Sequence, residues 1–569
     1  MLSLSLNILV AGIFGQILAA QGPAVRAAAP ADSARLVRGV RSAQSSFEAF
    51  RRSRLPVGEH ASGLCDVRIG RYCYWRGDGE EPDPPAEPEA IQQRRTSLIR
   101  LLDSAAWMLP GDAWIDGQYV RYLVEAGQFD DAVGFLRRCT AESSWCLALS
   151  GYAAHSAGRF ALADSIYAEA LARMPASERC RWLDVSDVLS DDLQEEFNRI
   201  GCDDRRRFVR RTFRISAPLY SMATTDLLTE HLARLTRARI AERAATPDGE
   251  SWADDQRELV VRYGWPRWYT RWEPAFGSQM QRSITGHDAG MPFDFIPSLH
   301  AIHHVSEIDD EDWHLDNARA VTGYAPSFAK TVHELPSQMA RFRRGDSTLV
   351  VAAWDARKDT TMLGRTLEAS LVVLDDSSTS VERMDSVRTR GHISMMARAD
   401  SGIISLELLA AKERRAARSR RGFATRAPSR VSLSDLLLYA PGDSSPLSVA
   451  AASDSALTSE EIANARPVGV FWETYGLRER GEHVRFTLTV EQVEVGWMRR
   501  AAERMHLSDP TSGLRIQWDE VPLQHDGVAP RAVRLDLSRL RHGRYRVTVS
   551  AMPDGEAAVE AVRYVVVGE

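Results

Sequence analysis

The sequence predicts a multidomain α + β protein: helical-hairpin repeats towards the N-terminus, a small α/β module in the middle, and two antiparallel β-sandwiches at the C-terminal end. Three observations carry that prediction. A short pattern occurs twice, 31 residues apart, as AGQFDDA (Ala126–Ala132) and AGRFALA (Ala157–Ala163). From about residue 341 onward the chain breaks into β-branched or alternating runs separated by polar turns, the period-2 signature of strands. A length of 569 residues exceeds what one hydrophobic core serves, so several domains are expected.

Taken in order, residues 4–20 (LSLNILVAGIFGQILAA) form an apolar run followed by small residues, read as a secretory leader within 1–27, cleaved after Ala20 or Ala27. No basic residue precedes the run, so an uncleaved anchor is the alternative and the only expected membrane contact. The mature chain is expected outside the cytoplasm, in the periplasm or at the cell surface. All six cysteines fall between Cys65 and Cys202, and an even number in an exported chain favours disulfides over thiol chemistry. Short loops favour Cys65 with Cys73, Cys139 with Cys146, and Cys180 with Cys202, although spacing alone does not fix connectivity. The absence of any CxxC pair argues against zinc. Residues 28–90 hold the first two cysteines and an acidic, proline-rich linker, RGDGEEPDPPAEP (76–88), with the folded body expected from near Ala90. The net charge of −6 implies solubility and no nucleic-acid partner. Lys330, Lys358 and Lys412 are the only lysines among 71 basic residues, a compositional bias from which no function follows.

Residues 91–205 contain the repeat, in which Trp114 matches Trp145, Gly127 matches Gly158, Phe129 matches Phe160, and Ala132 matches Ala163. The glycine ends a first helix where positive φ is needed, the aromatic opens the second helix, and the alanine lets the two approach closely. This stretch resembles tetratricopeptide repeats. The copy from Ser144 has Gly151, Gly158, Ala163, Tyr167, Ala170 and Pro175 at that family's spacings, while the copy from Ala113 departs from it at Cys139. A half-repeat is indicated by LLDSAAWMLP (101–110), which echoes IYAEALARMP (166–175). In that family the first helix of each hairpin lines a concave groove. The resemblance therefore implies a partner-binding surface of Trp114, Arg121, Glu125, Trp145, Tyr152 and His155. The alternative is that both tryptophans pack into the core or against a flanking helix.

Residues 206–297 form the α/β module. TTDLLTEHLARLTRARIAERA (Thr224–Ala244) spaces Leu228, Leu232 and Leu235 along one helical face. In SWADDQRELVVRYGWP (Ser251–Pro266), Leu259–Val261 read as a short buried strand broken at Gly264 and Pro266. This segment resembles the core of the GWxTD-domain family of exported bacterial proteins. Trp252 and Asp255 match the motif's tryptophan and final aspartate, Ser251 and Asp254 replace its glycine and threonine, and Tyr263, Gly264 and Pro266 match the residues that follow. That family has no established activity, so the resemblance implies export without a defined reaction. Asp254 and Asp255 are adjacent and project differently, which is poor geometry for an acid/base pair.

A connector at 298–340 carries His300, His303 and His304, then Asp309–Asp312 and His314. On a helix, His300 and His304 share a face suited to a divalent metal; a solvated loop is the alternative. The strand runs beyond it divide into sandwiches at 341–442 and 443–569, and LSDLLLY, FWETYGL and LDLSRLRHGRYRVTV resemble the strand domains that follow the motif in GWxTD proteins. KERRAARSRR (Lys412–Arg421) is expected to be a solvated loop or a charged edge. No GxSxG elbow, phosphate loop, HExxH or dinucleotide glycine fingerprint is present. The reading is an exported, non-catalytic binding or assembly protein without cofactor, whose repeat groove captures a protein or peptide in the cell envelope. The alternative is an envelope metal-assisted hydrolase with its site between the GWxTD-like module and the His-rich connector.

Overall fold

A computed structural model describes residues 30–58, 65–75, 84–222, 226–273, 283–287, 292–313, 315, 320–376, 378–424, 429–463, 467–478, 481–493, 513–538 and 540–568. The leader, most of the acidic linker and His314 lie outside the described residues. The chain is α + β, helical first and strand-rich after, and its C-terminal sheets, antiparallel except where Thr331–Glu334 joins Arg415–Ala424 and Glu461–Ala463 joins Val559–Gly568 in parallel, form β-sandwiches.

The helical part begins with α1 (Pro30–Arg52), so the folded body starts well before Ala90. Val40 and Phe47 of α1 are buried in the same core as α2 (Glu89–Met108). Between them the chain forms a hairpin of β1 (Val67–Ile69) and β2 (Tyr72–Tyr74), closed by the Cys65–Cys73 disulfide. Then come α3 (Ala113–Glu125), α4 (Phe129–Gly134), α5 (Ser143–Ser156), α6 (Phe160–Arg173), α7 (Ala176–Trp182), α8 (Asp191–Arg199), α9 (Cys202–Ile215) and α10 (Asp226–Ala241). Disulfides Cys139–Cys146 and Cys180–Cys202 complete the three expected pairs.

The two hairpins, α3/α4 and α5/α6, turn as the repeated glycines require. Gly127 (φ 72°) and Gly158 (φ 73°) follow the helix ends in left-handed conformation. Gly127 N donates to Val124 O and Gln128 N to Leu123 O; the second copy repeats this with Gly158 N to His155 O and Arg159 N to Ala154 O. That double bond pattern satisfies the last carbonyls of each helix. Gly151 lets α5 and α6 close up, since a Cβ there would lie 2.8 Å from the Tyr167 ring.

Next in the chain is α11 (Asp254–Tyr263), which corrects the expected strand at Leu259–Val261. Gln256, Val260, Val261 and Tyr263 are buried at helical spacing, acidic residues open the first turn, and Gly264 (φ 92°) ends it. A three-residue apolar run fits either element, and here the flanking caps decide. A small hairpin, β3 (Trp268–Trp272) with β4 (Ser283–His287), precedes α12 (Leu299–His303).

The first sandwich uses β5 (Thr331–Glu334), β6 (Ser337–Arg344), β7 (Ser347–Asp355), β8 (Leu367–Leu374), β9 (Thr379–Val387), β10 (Arg390–Ala397), β11 (Ser401–Ala410) and β12 (Arg415–Ala424). Its sheets run β10-β7-β6 and β5-β12-β11-β8-β9. The second uses β13 (Ser432–Leu433), β14 (Leu437–Tyr439), a short α13 (Val449–Asp454), β15 (Glu461–Ala463), β16 (Val468–Tyr475), β17 (Val484–Gln492), β18 (Leu514–Glu520), β19 (Val528–Leu535), β20 (Gly543–Pro553) and β21 (Val559–Gly568). One sheet centres on β16, which pairs with β13, β14 and β19; the other runs β15-β21-β20-β17-β18. The expected division at 442/443 is therefore displaced: β5 and β6 begin inside the supposed connector, and β13 and β14 belong to the second sandwich.

Strand burial follows what each face meets. In β17, Val484, Phe486, Leu488 and Val490 point inward and alternate with more exposed residues. In β8 and β11 nearly every residue is buried, because the five-stranded sheet packs on both faces. Val372, Leu374, Ile403 and Ala416 on its outer face join the core of the helical part. The two sandwiches meet through Phe342, Val351 and Ala353 on one side and Leu437, Tyr439 and Phe471 on the other.

Lys412–Arg421 corrects a second expectation. Most of it forms β12, flanked on both sides by β5 and β11, and Arg418 and Arg420 are buried. Alternate positions of the strand point these two arginines at the end of α9. Arg418 Nη1 donates to Ala217 O at 3.2 Å and Arg420 Nη1 to Ile215 O at 3.2 Å, and the Arg420 guanidinium lies 3.8 Å from the Tyr220 ring centroid.

Candidate functional site

The concave face of the hairpins is where the sequence placed its binding surface, and the chain's own α10 fills it. Leu228, Leu232 and Leu235 are buried as their spacing predicts, and so are almost all the polar residues between them. Trp145, Tyr152, Arg121 and His155 are 2, 1, 1 and 4 % exposed, which removes them from contact with an external partner. This corrects the expected groove. The six residues are held as follows.

His155 Nδ1 lies 2.9 Å from Thr229 Oγ1 and its Nε2 lies 2.6 Å from Glu230 Oε2. Trp145 donates from Nε1 to Ala113 O at 3.1 Å, and Arg239 of α10 lies 4.2 Å from its ring centroid. Tyr152 meets Trp265 edge to face at 5.4 Å. Arg121 donates to Glu48 Oε1 of α1 at 2.7 Å and to Glu125 Oε1 at 2.8 Å, while Arg51 reaches Glu125 Oε2 at 2.9 Å. Burial opposes the charge on Glu125, but Arg121, Arg51 and Arg237 overcome it and hold the carboxyl well below its usual range. Trp114, like Glu125, is half-buried, with Arg41 at 5.0 Å from its ring.

Thr229, His155 and Glu230 follow one another like a nucleophile, base and acid. Their exposures of 0, 4 and 4 % leave no approach for a substrate, and the Thr229 hydroxyl donates to Asp226 O at 3.0 Å in its own helix. The cluster continues through Arg234, whose Nε donates to Glu230 Oε1 at 2.6 Å and whose Nη2 donates to Gly323 O at 2.7 Å. Arg234 and His155 outweigh the burial of Glu230 and keep its carboxyl ionised. Burial pushes the Asp226 carboxyl up to about 7, opposed by the Tyr324 hydroxyl that donates to it at 3.0 Å. Burial, reinforced by Arg234, pushes His231 down to about 3. His231 lines a cavity of about 10 Å³, at the lower limit of what admits a single water, together with Phe213, Phe295 and Tyr324.

The Ser251–Asp255 segment is a latch for the N-terminal hairpin. Asp255 grips Arg71, at the tip between β1 and β2, through Nε–Oδ2 at 2.8 Å and Nη2–Oδ1 at 2.9 Å. Arg71 also reaches Glu250 Oε2 at 3.2 Å and Ser251 O at 3.1 Å. The Arg71 hydrogen bonds hold the Asp255 carboxyl well below its usual range. Tyr74 stacks on Tyr263 at 4.0 Å, and Gly264 supplies the positive φ of 92° that turns the chain out of α11. Pro266 packs on Gly286, Trp252 is half-buried and Asp254 is exposed. Nothing near Arg71 in sequence signals this contact, which joins positions 184 residues apart.

The three histidines do not converge. His303 Nε2 turns to Glu196 Oε2 at 2.7 Å, His300 Nδ1 faces Asp312 at 3.4 Å, and His304 stacks on His300 at 5.2 Å beyond the end of the five-residue α12. Among the described residues no three His, Cys, Asp or Glu side chains form a group that would hold a metal ion. No helix of the described residues is long and apolar enough to cross a membrane.

No family model matches the sequence, and no curated protein does. Among solved structures, the FN1–FN3 domains of chicken CNTN1 are similar at 10% identity and a TM-score of 0.14, over 42% of this chain and 69% of that one. Red sea bream transglutaminase is similar at 14% identity and a TM-score of 0.13, over 41% of this chain and 31% of that one.

Proposed function

We propose that this chain is an exported, non-catalytic assembly protein of the cell envelope, in the periplasm or at the cell surface. In this reading its hairpins form a rigid platform and its partners dock outside the concave face. The observation that carries the proposal is the occupation of that face by α10, with buried polar pairs where an external peptide would need exposed ones. The three disulfides fit an oxidising compartment. The resemblances of Ala113–Pro175 to tetratricopeptide repeats and of Ser251–Pro266 to the GWxTD core support a role without chemistry.

Photo-crosslinking in the native envelope tests this reading. A photoreactive residue at an exposed position of the second sandwich such as Gln517 should trap a protein partner, whereas one at Tyr152 should react only within the chain. Partner adducts concentrated at Tyr152 would restore the groove reading and sink the proposal.

A further inference from the structure

The fourteen residues of α9 carry six arginines against two aspartates, Asp203 and Asp204. Two of the six serve the fold: Arg205 pairs with Asp184 at 3.0 Å, and Arg214 donates to Ser378 O at 2.8 Å. The other four, Arg206, Arg207, Arg210 and Arg211, are exposed along the arc opposite buried Val209 and Thr212. Among the described residues their one ion pair joins Arg207 to Asp204 at 3.9 Å, with both side chains largely in water. Arg206 with Arg210, and Arg207 with Arg211, are like charges one turn apart, an arrangement that weakens a helix. In a chain of net charge −6 this concentration of unshared positive charge on one exposed arc stands out.

We propose that this arc is a docking surface for anionic phospholipid headgroups, so that α9 rests on a bilayer surface. The arc is convex and carries no aromatic or apolar residue. It therefore lacks the stacking platform of a nucleic-acid binder and the buried anchor of a protein interface. Four cations spread over two turns match a plane of negative charge better than a single enclosed anion. The Cys180–Cys202 disulfide fixes the start of α9 to α7, and Arg214 fixes its end to the first sandwich, so the arc is held rigidly. Binding through so few charges is weak and reversible, and it needs no membrane-spanning segment.

Flotation of the purified full chain, disulfides intact, with vesicles of phosphatidylcholine alone or mixed with phosphatidylglycerol tests the proposal. The chain should float only with the anionic vesicles and should be released by high salt. The Arg206→Gln, Arg207→Gln, Arg210→Gln, Arg211→Gln variant should keep its melting curve and lose about three orders of magnitude in partitioning, since each of the four charges near the surface is worth about fivefold. The corresponding lysine variant should still bind, because a bilayer reads charge. Equal flotation with neutral vesicles, failure to float with anionic ones, or undiminished binding by the glutamine variant would overturn the proposal. Capture on heparin or DNA without vesicle binding would overturn it equally.

Discussion

Asp226, Glu230 and His231 sit within two turns of one buried helix and are held in three different ways: a carboxyl pushed up to about 7, a carboxylate kept ionised, and an imidazole kept neutral. Asp226 binds its proton more tightly folded than unfolded. Its stabilising contribution is complete below about pH 4 and is lost as pH rises through about 7. His231 works in the opposite sense: its contribution is present above about pH 6.5 and is lost as pH falls towards 3. Asp226→Asn should therefore gain stability relative to the parent between about pH 4 and pH 7, by at most about 4 kcal/mol. Chemical denaturation at both ends of that window measures it, and a pH-independent difference would contradict the assignment. At Asp255 a different outcome is expected, because its partner Arg71 lies at the surface. Asp255→Ala should leave global unfolding nearly unchanged while backbone hydrogen exchange at Arg71–Tyr74 speeds up at least about tenfold, as a locally released hairpin requires. Of these residues only Asp255 stood out in the sequence, through its motif; the polar residues of α10 read as a solvated face because their partners are far away in the chain.

The hairpin elements were legible because their rules are local. Left-handed glycines and the close approach of Gly151 to Tyr167 follow from residues within one repeat. Gly151→Ala should cost about 1–3 kcal/mol by overpacking, whereas Gly158→Ala, which meets no neighbouring atom, should cost about 1 kcal/mol through its positive φ alone. Thermal or denaturant unfolding of the two variants checks the order, and a larger effect at Gly158 would count against the packing described. Elements whose character depends on distant partners were not legible. β12 is rich in arginine and lies inside a sheet between β5 and β11, where Arg418 and Arg420 are accommodated because the carbonyls closing α9 receive them. Leu259–Val261 were ambiguous in isolation, and α1 was hidden between a leader and an acidic linker.

At the scale of the whole molecule, three bodies are locked in series by buried contacts rather than linked by flexible connectors. The helical part and the first sandwich share the Arg418 and Arg420 junction, where Glu407 also accepts from Tyr220 N at 2.7 Å and Ser221 N at 2.9 Å. Arg420→Ala would take one of two side-chain donors from each of the Ile215, Ala217 and Pro218 carbonyls and empty the space against the Tyr220 ring, and a loss of about 3 kcal/mol is expected. Calorimetry should then show the helical part and the first sandwich separating into two transitions; one unaltered transition would argue against a coupling junction. The concave face of the hairpins is interior, closed by α10. Hydrogen-exchange mass spectrometry of the intact, disulfide-bonded chain tests this most directly. Amides of α10 from His231 to Ile240 should exchange as slowly as those of α5, in the slowest class of the molecule. Fast exchange along α10 with α5 still protected would mean that the helix leaves the groove, and that the face is a receptor after all.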